Sequence, residues 1–281
     1  MPGPSFLEKF GDVPLTVPDG LEMSMLEKFH PLKTWIDQLH HSLSLQHQDA
    51  SHPFHSKPYA LRSLAVKSHT MFGPSRIGFA NVEAVVKNDD GNRLPATVFL
   101  RGPSVAMLFM LLPDGIPSDS THGDDERYVV LTVQPRVAAG SMAFAELPAG
   151  MVDEKNEFSG TAAREIYEEL GIRIEEKDLL CLSDMVEPTP PEGQKDEGLS
   201  LAMFPSAGGC DEFIKIFMCE KRVEREKLDE WRGKQTGLRE DGEIISLRLV
   251  RYEDLWKEGA RDSKALSAVA LYEGLKREGK I

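Results

Sequence analysis

The segment 150–172 (GMVDEKNEFSGTAAREIYEELGI) constrains the fold of this chain more than any other stretch. At about 100° per residue, a helix through its second half places Glu165, Glu168 and Glu169 on one face. The opposite face carries small and apolar side chains, which are Ala162, Ala163, Ile166, Tyr167 and Leu170. The pattern predicts a helix that packs one side against a core and collects negative charge on the other.

Like charges three or four residues apart destabilise a helix by roughly 0.2–0.5 kcal/mol for each pair. A bound cation would offset this repulsion, and carboxylate oxygens are the ligands that magnesium and manganese prefer. The alternative is an acidic helix face that only contacts solvent. The flanks favour a specified unit, because 146–150 (ELPAG) is typical of a strand end that turns into a loop, and Gly171 stands where a helix C-terminal glycine belongs.

Residues 164–172 (REIYEELGI) resemble the signature of the Nudix hydrolases, in which a glycine and a loop with a glutamate precede R-E-apolar-x-E-E-x-G-apolar. The chain departs from this signature in the loop, where Asn156 occupies the usual glutamate position. Either Glu157 takes that role after a one-residue shift, or Glu154 does. The resemblance implies an α/β protein with a Nudix-type α/β/α sandwich around a mixed β-sheet.

The resemblance also implies hydrolysis of a pyrophosphate bond with Mg²⁺ or Mn²⁺. Divalent cations neutralise phosphate charge, activate water and stabilise the leaving phosphate. Arg164 would hold the loop glutamate in an ion pair, or form an ordinary surface salt bridge. The implied metal ligands are the backbone carbonyl of Ala149 and the carboxylates of Glu165, Glu168 and Glu169.

In ADP-ribose-type relatives, the region that corresponds to the acidic turn 239–243 (REDGE) supplies the general base. The resemblance therefore makes Glu240 and Glu243 the candidates for taking a proton from the attacking water. If neither acts, Glu168 or Glu169 would be the base instead.

Four further segments look like the ADP-sugar diphosphatase branch, and the likeness spans roughly residues 58–278. They are 71–79 (MFGPSRIGF), 144–151 (FAELPAGM), 204–212 (FPSAGGCDE) and 236–243 (TGLREDGE). A downstream proline marks ADP-ribose-type members. Pro188 matches by spacing and Pro205 by local motif, and Pro205 is favoured. The implied substrate is a small nucleotide sugar, ADP-ribose or ADP-glucose, cleaved to AMP and sugar 1-phosphate.

The candidate substrate-binding residues are Arg76, Arg101, Arg136, Ser206, Gly208 and Glu212. Arginine suits bidentate phosphate contact, glycines beside a serine let the backbone approach a ligand, and a carboxylate accepts hydrogen bonds from sugar hydroxyls. A surface arginine, a plain turn and an exposed strand start are the ordinary alternatives. The resemblance further implies a homodimer, in which Arg76 reaches the partner's substrate.

Composition excludes some functions. Acidic residues outnumber basic ones by 46 to 33, and the net charge of −13 opposes binding to nucleic acid or to an anionic membrane. An mRNA-decapping role is therefore disfavoured. The three cysteines lack ligand-pair spacing. No apolar run reaches the length of a membrane span, and residues 1–13 lack a secretory pattern, so we expect a cytoplasmic protein with no membrane partner.

The pattern divides the chain into an N-terminal helical extension with a polar connector, 1–57, and a Nudix hydrolase domain, 58–281. Apolar spacing predicts a helical segment over 21–45, interrupted near Pro31. Predicted strands cover 61–68, 77–87, 97–101, 105–112, 128–134, 212–219 and 243–250, and predicted helices cover 223–231, 252–257 and 262–276.

Two other functions remain open from the sequence. Base identity depends on contacts that spacing does not reveal, so a UDP-sugar or dinucleotide diphosphatase of the same fold is one alternative. The other is a Nudix-fold module that binds an ADP-sugar without hydrolysing it, which Asn156 at the usual glutamate position favours.

Overall fold

The structure is a computed structural model that describes residues 13–115, 126–152, 157–170, 172–187, 196–236 and 245–281. The strands are β1 (Leu15–Thr16), β2 (Ala60–Met71), β3 (Ile77–Lys87), β4 (Arg93–Leu94), β5 (Thr97–Leu100), β6 (Ser104–Pro113), β7 (Tyr128–Arg136), β8 (Ser141–Glu146), β9 (Ala149–Met151), β10 (Leu180–Cys181), β11 (Ile214–Val223), β12 (Gln235–Thr236) and β13 (Ile245–Arg251). The α-helices are α1 (Met23–Lys28), α2 (His30–Gln48), α3 (Phe158–Glu165), α4 (Leu255–Glu258) and α5 (Ser263–Arg277).

The chain folds into two compact units. The first contains the described parts of 1–103, 188–200 and 204–213, and the second contains those of 104–187, 201–203 and 214–281. The sequence pattern placed a boundary at 57, but the helices before that point share one core with the strands that follow it. The domain boundary at 57 stays a prediction.

In the part of the first unit that the structure describes, α1 and α2 pack against a sheet of five strands. Phe29 has an extended backbone between the two helices, and Pro31 lies in the first turn of α2, where its missing N–H costs nothing. The predicted interruption near Pro31 is thus present. The strands run in the order β1-β2-β3-β4, and β5 also pairs with β3.

The second unit is built around β6, whose ten residues are all buried. This strand pairs in parallel with β11 and antiparallel with β7 and β9. Among the described residues, this sheet has eight strands in the order β10-β11-β6-β7-β13-β12, with β8 on β7 and β9 on β6. Both faces of β6 are covered, so nearly all of its side chains are apolar instead of alternating between apolar and polar.

Alternate residues of β6 belong to two different cores. Met107 and Phe109 lie in a cluster with Ala162, Ile166 and Leu170 of the segment that begins with α3. The residues between them, such as Leu108, point to the other face of the sheet and cluster with the apolar side of α5. Helices therefore cover both faces of a mixed sheet, which confirms the α/β/α class.

Most predicted elements are present with small shifts in their bounds. Strand β3 has the predicted limits, whereas the predicted strand at 212 begins at Ile214. The segment Arg225–Trp231 forms a 3-10 helix. Within the described ranges, we find no helix with the length and hydropathy needed to cross a bilayer.

Candidate active site

The predicted acidic helix exists, but its last turn is not α-helical. Helix α3 ends at Glu165, and Ile166–Leu170 continues it as a single π turn. Single π turns of this kind occur frequently at functional sites. The wider turn changes the angular spacing of the side chains, and Tyr167, which the α-helical pattern placed on the packed side, is 49% exposed.

The three carboxylates of this segment are not an ordinary solvated face. Only 14% of the Glu165 side chain and 32% of the Glu168 side chain are exposed. Glu169 is 6% exposed, which places a carboxylate inside the unit. Buried carboxylates are costly unless a cation or hydrogen-bond donors compensate them. This burial argues against the alternative of an acidic helix face that only contacts solvent.

Glu169 has little compensation among the described residues. Gln134 Nε2 donates to Glu169 Oε1 at 3.5 Å, and Oε2 is buried without a hydrogen-bond partner in the described part of the chain. Burial of the carboxylate, followed by the negative charges of Glu165 and Glu146, raises the pKa of Glu169 to about 8. A cation at Oε2 would lower that pKa and satisfy the oxygen.

Glu165 lies against the strand that precedes the helix. A Cβ built on Gly150 would overlap the Glu165 carboxylate, so any other residue at position 150 would displace that side chain. Ala149 is half-buried beside this contact in β9, where it pairs with Ala106. The structure thus places Glu165 against Gly150, next to Ala149.

Arg164 lies beside the acidic residues at salt-bridge range. Its Nη2 is 3.8 Å from Glu165 Oε1, and its Nε is 3.9 Å from Glu168 Oε1. The loop glutamate that Arg164 was expected to hold is either Glu157, which is exposed, or Glu154, which lies outside the described residues. That role of Arg164 stays a prediction.

A second layer of charges surrounds Glu146 at the end of β8. Arg136 Nε donates to Glu146 Oε1 at 2.6 Å, and Lys264 Nζ donates to Glu146 Oε2 at 2.8 Å. Lys264 Nζ also donates to Asp262 Oδ1 at 2.8 Å. Arg136, a predicted substrate-binding residue, is therefore paired with a buried carboxylate and still exposes 42% of its side chain.

We define the acidic cluster as the two layers together. Its members are the carboxylates of Glu146, Glu165, Glu168, Glu169 and Asp262 and the cations Arg136, Arg164 and Lys264. With every group ionised, these residues leave a net charge of −2. A single divalent cation would neutralise that charge.

The acidic cluster has the oxygen donors that a divalent metal prefers, but its side chains do not form a complete set of ligands. Across the described ranges, no three His, Cys, Asp or Glu side chains converge on one metal position. The unpartnered oxygen of Glu169, the neighbouring Glu165 carboxylate and the charge of −2 nonetheless match the hard oxygen donors that Mg²⁺ and Mn²⁺ require. A metal here would bind few side chains and complete its coordination with backbone, water or substrate oxygens.

The predicted general bases lie outside the described residues. Glu240 and Glu243 belong to 237–244, which follow directly after Thr236. The Thr236 hydroxyl donates to the backbone carbonyl of Glu169, so Thr236 lies beside the π turn. Gly171 and Pro188 also lie outside the described part of the chain.

The other predicted substrate-binding residues belong to the first unit. Arg101 Nη2 is 3.4 Å from Glu212 Oε1, so these two residues pair with each other. The backbone carbonyl of Ser206 accepts from the N–H groups of Gly209 and Cys210. The guanidinium of Arg76 lies 5.5 Å from the Phe72 ring centroid.

The same unit contains a cavity of about 420 Å³, a volume typical of small-molecule sites. Its lining includes the aromatic rings of Trp35, Phe204 and Phe213. Its charged lining residues, Glu197 and Asp211, are carboxylates. Gly208 lines an adjoining cavity, and open space surrounds the position where its Cβ would be.

Sequence reasoning did not identify Glu146, Asp262 and Lys264 as part of the site. Glu146 is the first residue of the ELPAG motif, but the motif does not show that it pairs with Arg136 and Lys264. Lys264 and Asp262 lie in a helix whose pattern signals nothing but packing, more than 100 residues further along the chain. The local sequence offers only an aspartate at a helix start with a lysine two residues later, which is an ordinary capping pattern.

The chain is similar in sequence to known proteins of one family. A family model described as the NUDIX domain matches residues 121–269. The curated protein "Nudix hydrolase 14, chloroplastic" of Arabidopsis thaliana is 40% identical over 223 residues, which are 79% of this chain and 65% of that relative. A solved structure titled "Crystal structure of ADP compounds hydrolase" shares 14% identity and a TM-score of 0.48, covering 79% of this chain and 97% of its own.

Proposed function

Because the chain belongs to the Nudix family, we propose that it hydrolyses the pyrophosphate bond of an ADP-sugar, ADP-ribose or ADP-glucose, to AMP and sugar 1-phosphate with Mg²⁺ or Mn²⁺. The observation that carries this proposal is the buried Glu169 carboxylate, whose Oε2 has no hydrogen-bond partner among the described residues and which lies close to the carboxylates of Glu165 and Glu146. Burial of an ionised carboxylate costs free energy when no cation compensates its charge, and a bound cation removes that cost.

The residues of the acidic cluster divide the work. Glu165 and Glu169 would hold the cation, and Glu168 and the carbonyl of Ala149 are the further ligands that the family resemblance implies. A divalent cation held there would supply positive charge to offset the negative charge of the phosphates and to favour ionisation of the attacking water. Gln134 orients Glu169 through its hydrogen bond at 3.5 Å. The exposed part of Arg136 faces solvent, so its remaining guanidinium donors are available to a phosphate.

Glu240 or Glu243 takes the proton from the attacking water in this proposal. The support is the position of Thr236, which is hydrogen-bonded to the π turn and leads directly into that segment. A base beside metal ions needs to remain ionised, and the cations favour the ionised form.

The choice of an ADP-sugar rests on the sequence resemblance of 71–79, 144–151, 204–212 and 236–243 to the ADP-sugar diphosphatase branch.

Kinetics on a panel of substrates test the proposal. ADP-ribose, ADP-glucose, UDP-glucose and NADH are incubated with the protein and Mg²⁺, and products are identified. We expect AMP from the ADP-sugars, loss of turnover with a chelator, and a loss of at least about 100-fold in Glu169→Gln. Glu175→Gln, whose side chain is 73% exposed, is the matched control and should retain full activity.

The panel also separates the alternatives. Turnover of UDP-glucose or NADH above both ADP-sugars would favour the other diphosphatases of the fold. Saturable binding of an ADP-sugar without turnover would favour the non-catalytic module. Chelator-insensitive turnover would overturn the metal assignment.

We further propose that the protein is a homodimer. The support is the sequence resemblance, because relatives of the ADP-sugar diphosphatase branch pair through their N-terminal strands. Light scattering across protein concentrations tests this. A monomer at every concentration would contradict it. The cytoplasmic location and the absence of a nucleic-acid partner stay predictions.

A further inference from the structure

Lys264 is a buried cation at the start of α5. Only 11% of its side chain is exposed, and its Nζ donates to two carboxylates at 2.8 Å, Glu146 Oε2 and Asp262 Oδ1. A lysine in this position needs both partners, because an unpaired ammonium is strongly disfavoured away from water. The pairings join the first turn of α5 to the end of β8.

Asp262 makes a second connection between the same two elements. It is the N-cap of α5, and its Oδ1 accepts from the backbone N–H of Lys264 at 3.1 Å. Its Oδ2 accepts from the backbone N–H of Leu147 at 2.8 Å. An N-cap aspartate usually serves only its own helix. This one also holds the residue that follows Glu146.

The segment 146–150 is thereby restrained along its whole length. Glu146 is held by Arg136 and Lys264, Leu147 by Asp262, and the carbonyl of Pro148 accepts from Met107 N at 2.9 Å. Gly150, at the end of the segment, lies against the Glu165 carboxylate. Any movement of 146–148 would therefore be transmitted to the contact between Gly150 and Glu165.

Stability alone does not explain these charges. Buried ion pairs can often be replaced by well-packed apolar residues of similar volume without loss of stability, because desolvation offsets their attraction. Directional hydrogen bonds between charged groups, by contrast, fix geometry to within a few tenths of an ångström. The arrangement fits a requirement for exact placement of a backbone segment.

We propose that Lys264 and Asp262 are positioning residues, which clamp 146–150 so that Ala149 and Gly150 present the metal-binding carboxylate Glu165 in its working position. The inference rests on the proposed function, because it assigns the clamp to the same site. Neither residue touches substrate or metal. Their effect is exerted through Glu146 and Leu147.

Three variants test the clamp. Lys264→Met removes the charge and keeps most of the volume. Lys264→Arg keeps a cation that can bridge two carboxylates. Asp262→Asn keeps the helix cap and one acceptor oxygen but removes the charge. If Lys264→Met does not fold, Asp262→Asn and Lys264→Arg decide the question.

The main readout is the Mg²⁺ concentration that gives half of the maximal thermal stabilisation, measured without substrate. Outer-shell residues around a metal typically change affinity or activity 10–100-fold. We expect this midpoint to rise about 10-fold in Lys264→Met and less in Asp262→Asn, and to return towards the wild-type value in Lys264→Arg. With ADP-glucose at saturating Mg²⁺, KM should change little while kcat falls.

Arg127→Met is the matched control. Arg127 is 4% exposed, and its Nε is 2.9 Å from Glu220 Oε2 just before the opposite end of β7. The control should lower the melting temperature and leave the Mg²⁺ midpoint unchanged. An unchanged midpoint in folded Lys264→Met and Asp262→Asn, or an equal shift in Arg127→Met, would overturn the proposal.

The two proposals fail separately. If the wild-type protein hydrolyses no nucleotide sugar but shows Mg²⁺ stabilisation that depends on Lys264, the proposed function is wrong and the clamp stands. If the ADP-sugars are hydrolysed and the variants keep the wild-type midpoint and kcat, the clamp is wrong and the function stands. Absence of any Mg²⁺ stabilisation in the wild-type protein would overturn the clamp as well.

Discussion

The carboxylate of Glu165 occupies the space where a side chain at position 150 would begin. A Cβ on Gly150 would overlap both oxygens of that carboxylate, far inside normal contact distance. The glycine of the motif is therefore required by a neighbour 15 residues away in sequence. Because Gly150 has no side chain, β9 can approach the Glu165 carboxylate at the end of α3.

Gly150→Ala should displace Glu165 and reduce turnover. Because a misplacement of about 1 Å near the chemistry can cost 100-fold, we expect a loss of about that size in kcat/KM on ADP-glucose. Gly274→Ala is the control, since nothing lies within 4 Å of its Cβ position in α5 and alanine favours helix. Wild-type kinetics in Gly150→Ala would contradict the tight contact.

The metal-free protein should become less stable as pH rises. The pKa of Glu169 is about 8 in the folded state and near 4.5 when unfolded, so the folded state holds a proton that the unfolded state has lost between these values. The free energy of unfolding therefore falls between pH 4.5 and 8, by up to a few kcal/mol in total. Chemical unfolding in chelator at pH 5, 7 and 9 measures the slope.

Glu169→Gln cannot lose that proton, so its stability should exceed that of the wild-type protein most clearly at pH 9. Addition of Mg²⁺ should narrow the difference, because a cation stabilises the ionised carboxylate. Equal pH slopes in the two proteins would show that Glu169 is ionised in the fold without a metal.

Asp211→Ala should destabilise the protein. Its Oδ1 accepts from the backbone N–H of Arg101 at 2.7 Å, and its Oδ2 accepts from Gly102 at 3.1 Å. Buried donors left unsatisfied cost about 1–3 kcal/mol, which chemical unfolding would detect. Asp90→Ala, at an exposed ion pair with Lys57, should change the free energy of unfolding by less than about 0.5 kcal/mol.

Much of the fold was predictable from local pattern. The predicted strand at 77–87 has the bounds of β3, and the predicted helix at 262–276 is α5 shifted by one residue. Apolar period and turn residues encode these elements directly. The π turn at Ile166–Leu170 was not predicted, because its signature is the same run of residues that would continue an α-helix.

The site was only partly predictable. Spacing alone identified Glu165, Glu168 and Glu169, but not that Glu169 would be buried with one oxygen unpartnered. That depends on Gln134 and the strands beside it. Glu240 and Glu243 lie outside the described residues, and their role rests on resemblance.

By itself, the sequence determined the elements, the acidic spacing on the last turns of one helix and the family to which the chain belongs. The tertiary structure decided which of those charges lose water and which partners compensate them, such as Lys264 for Glu146 at 2.8 Å across 118 positions of sequence. The reason is physical. Periodicity reports neighbours a few residues apart, whereas desolvation and ion pairing depend on distances that exist only after the sheet and its two helical layers have packed.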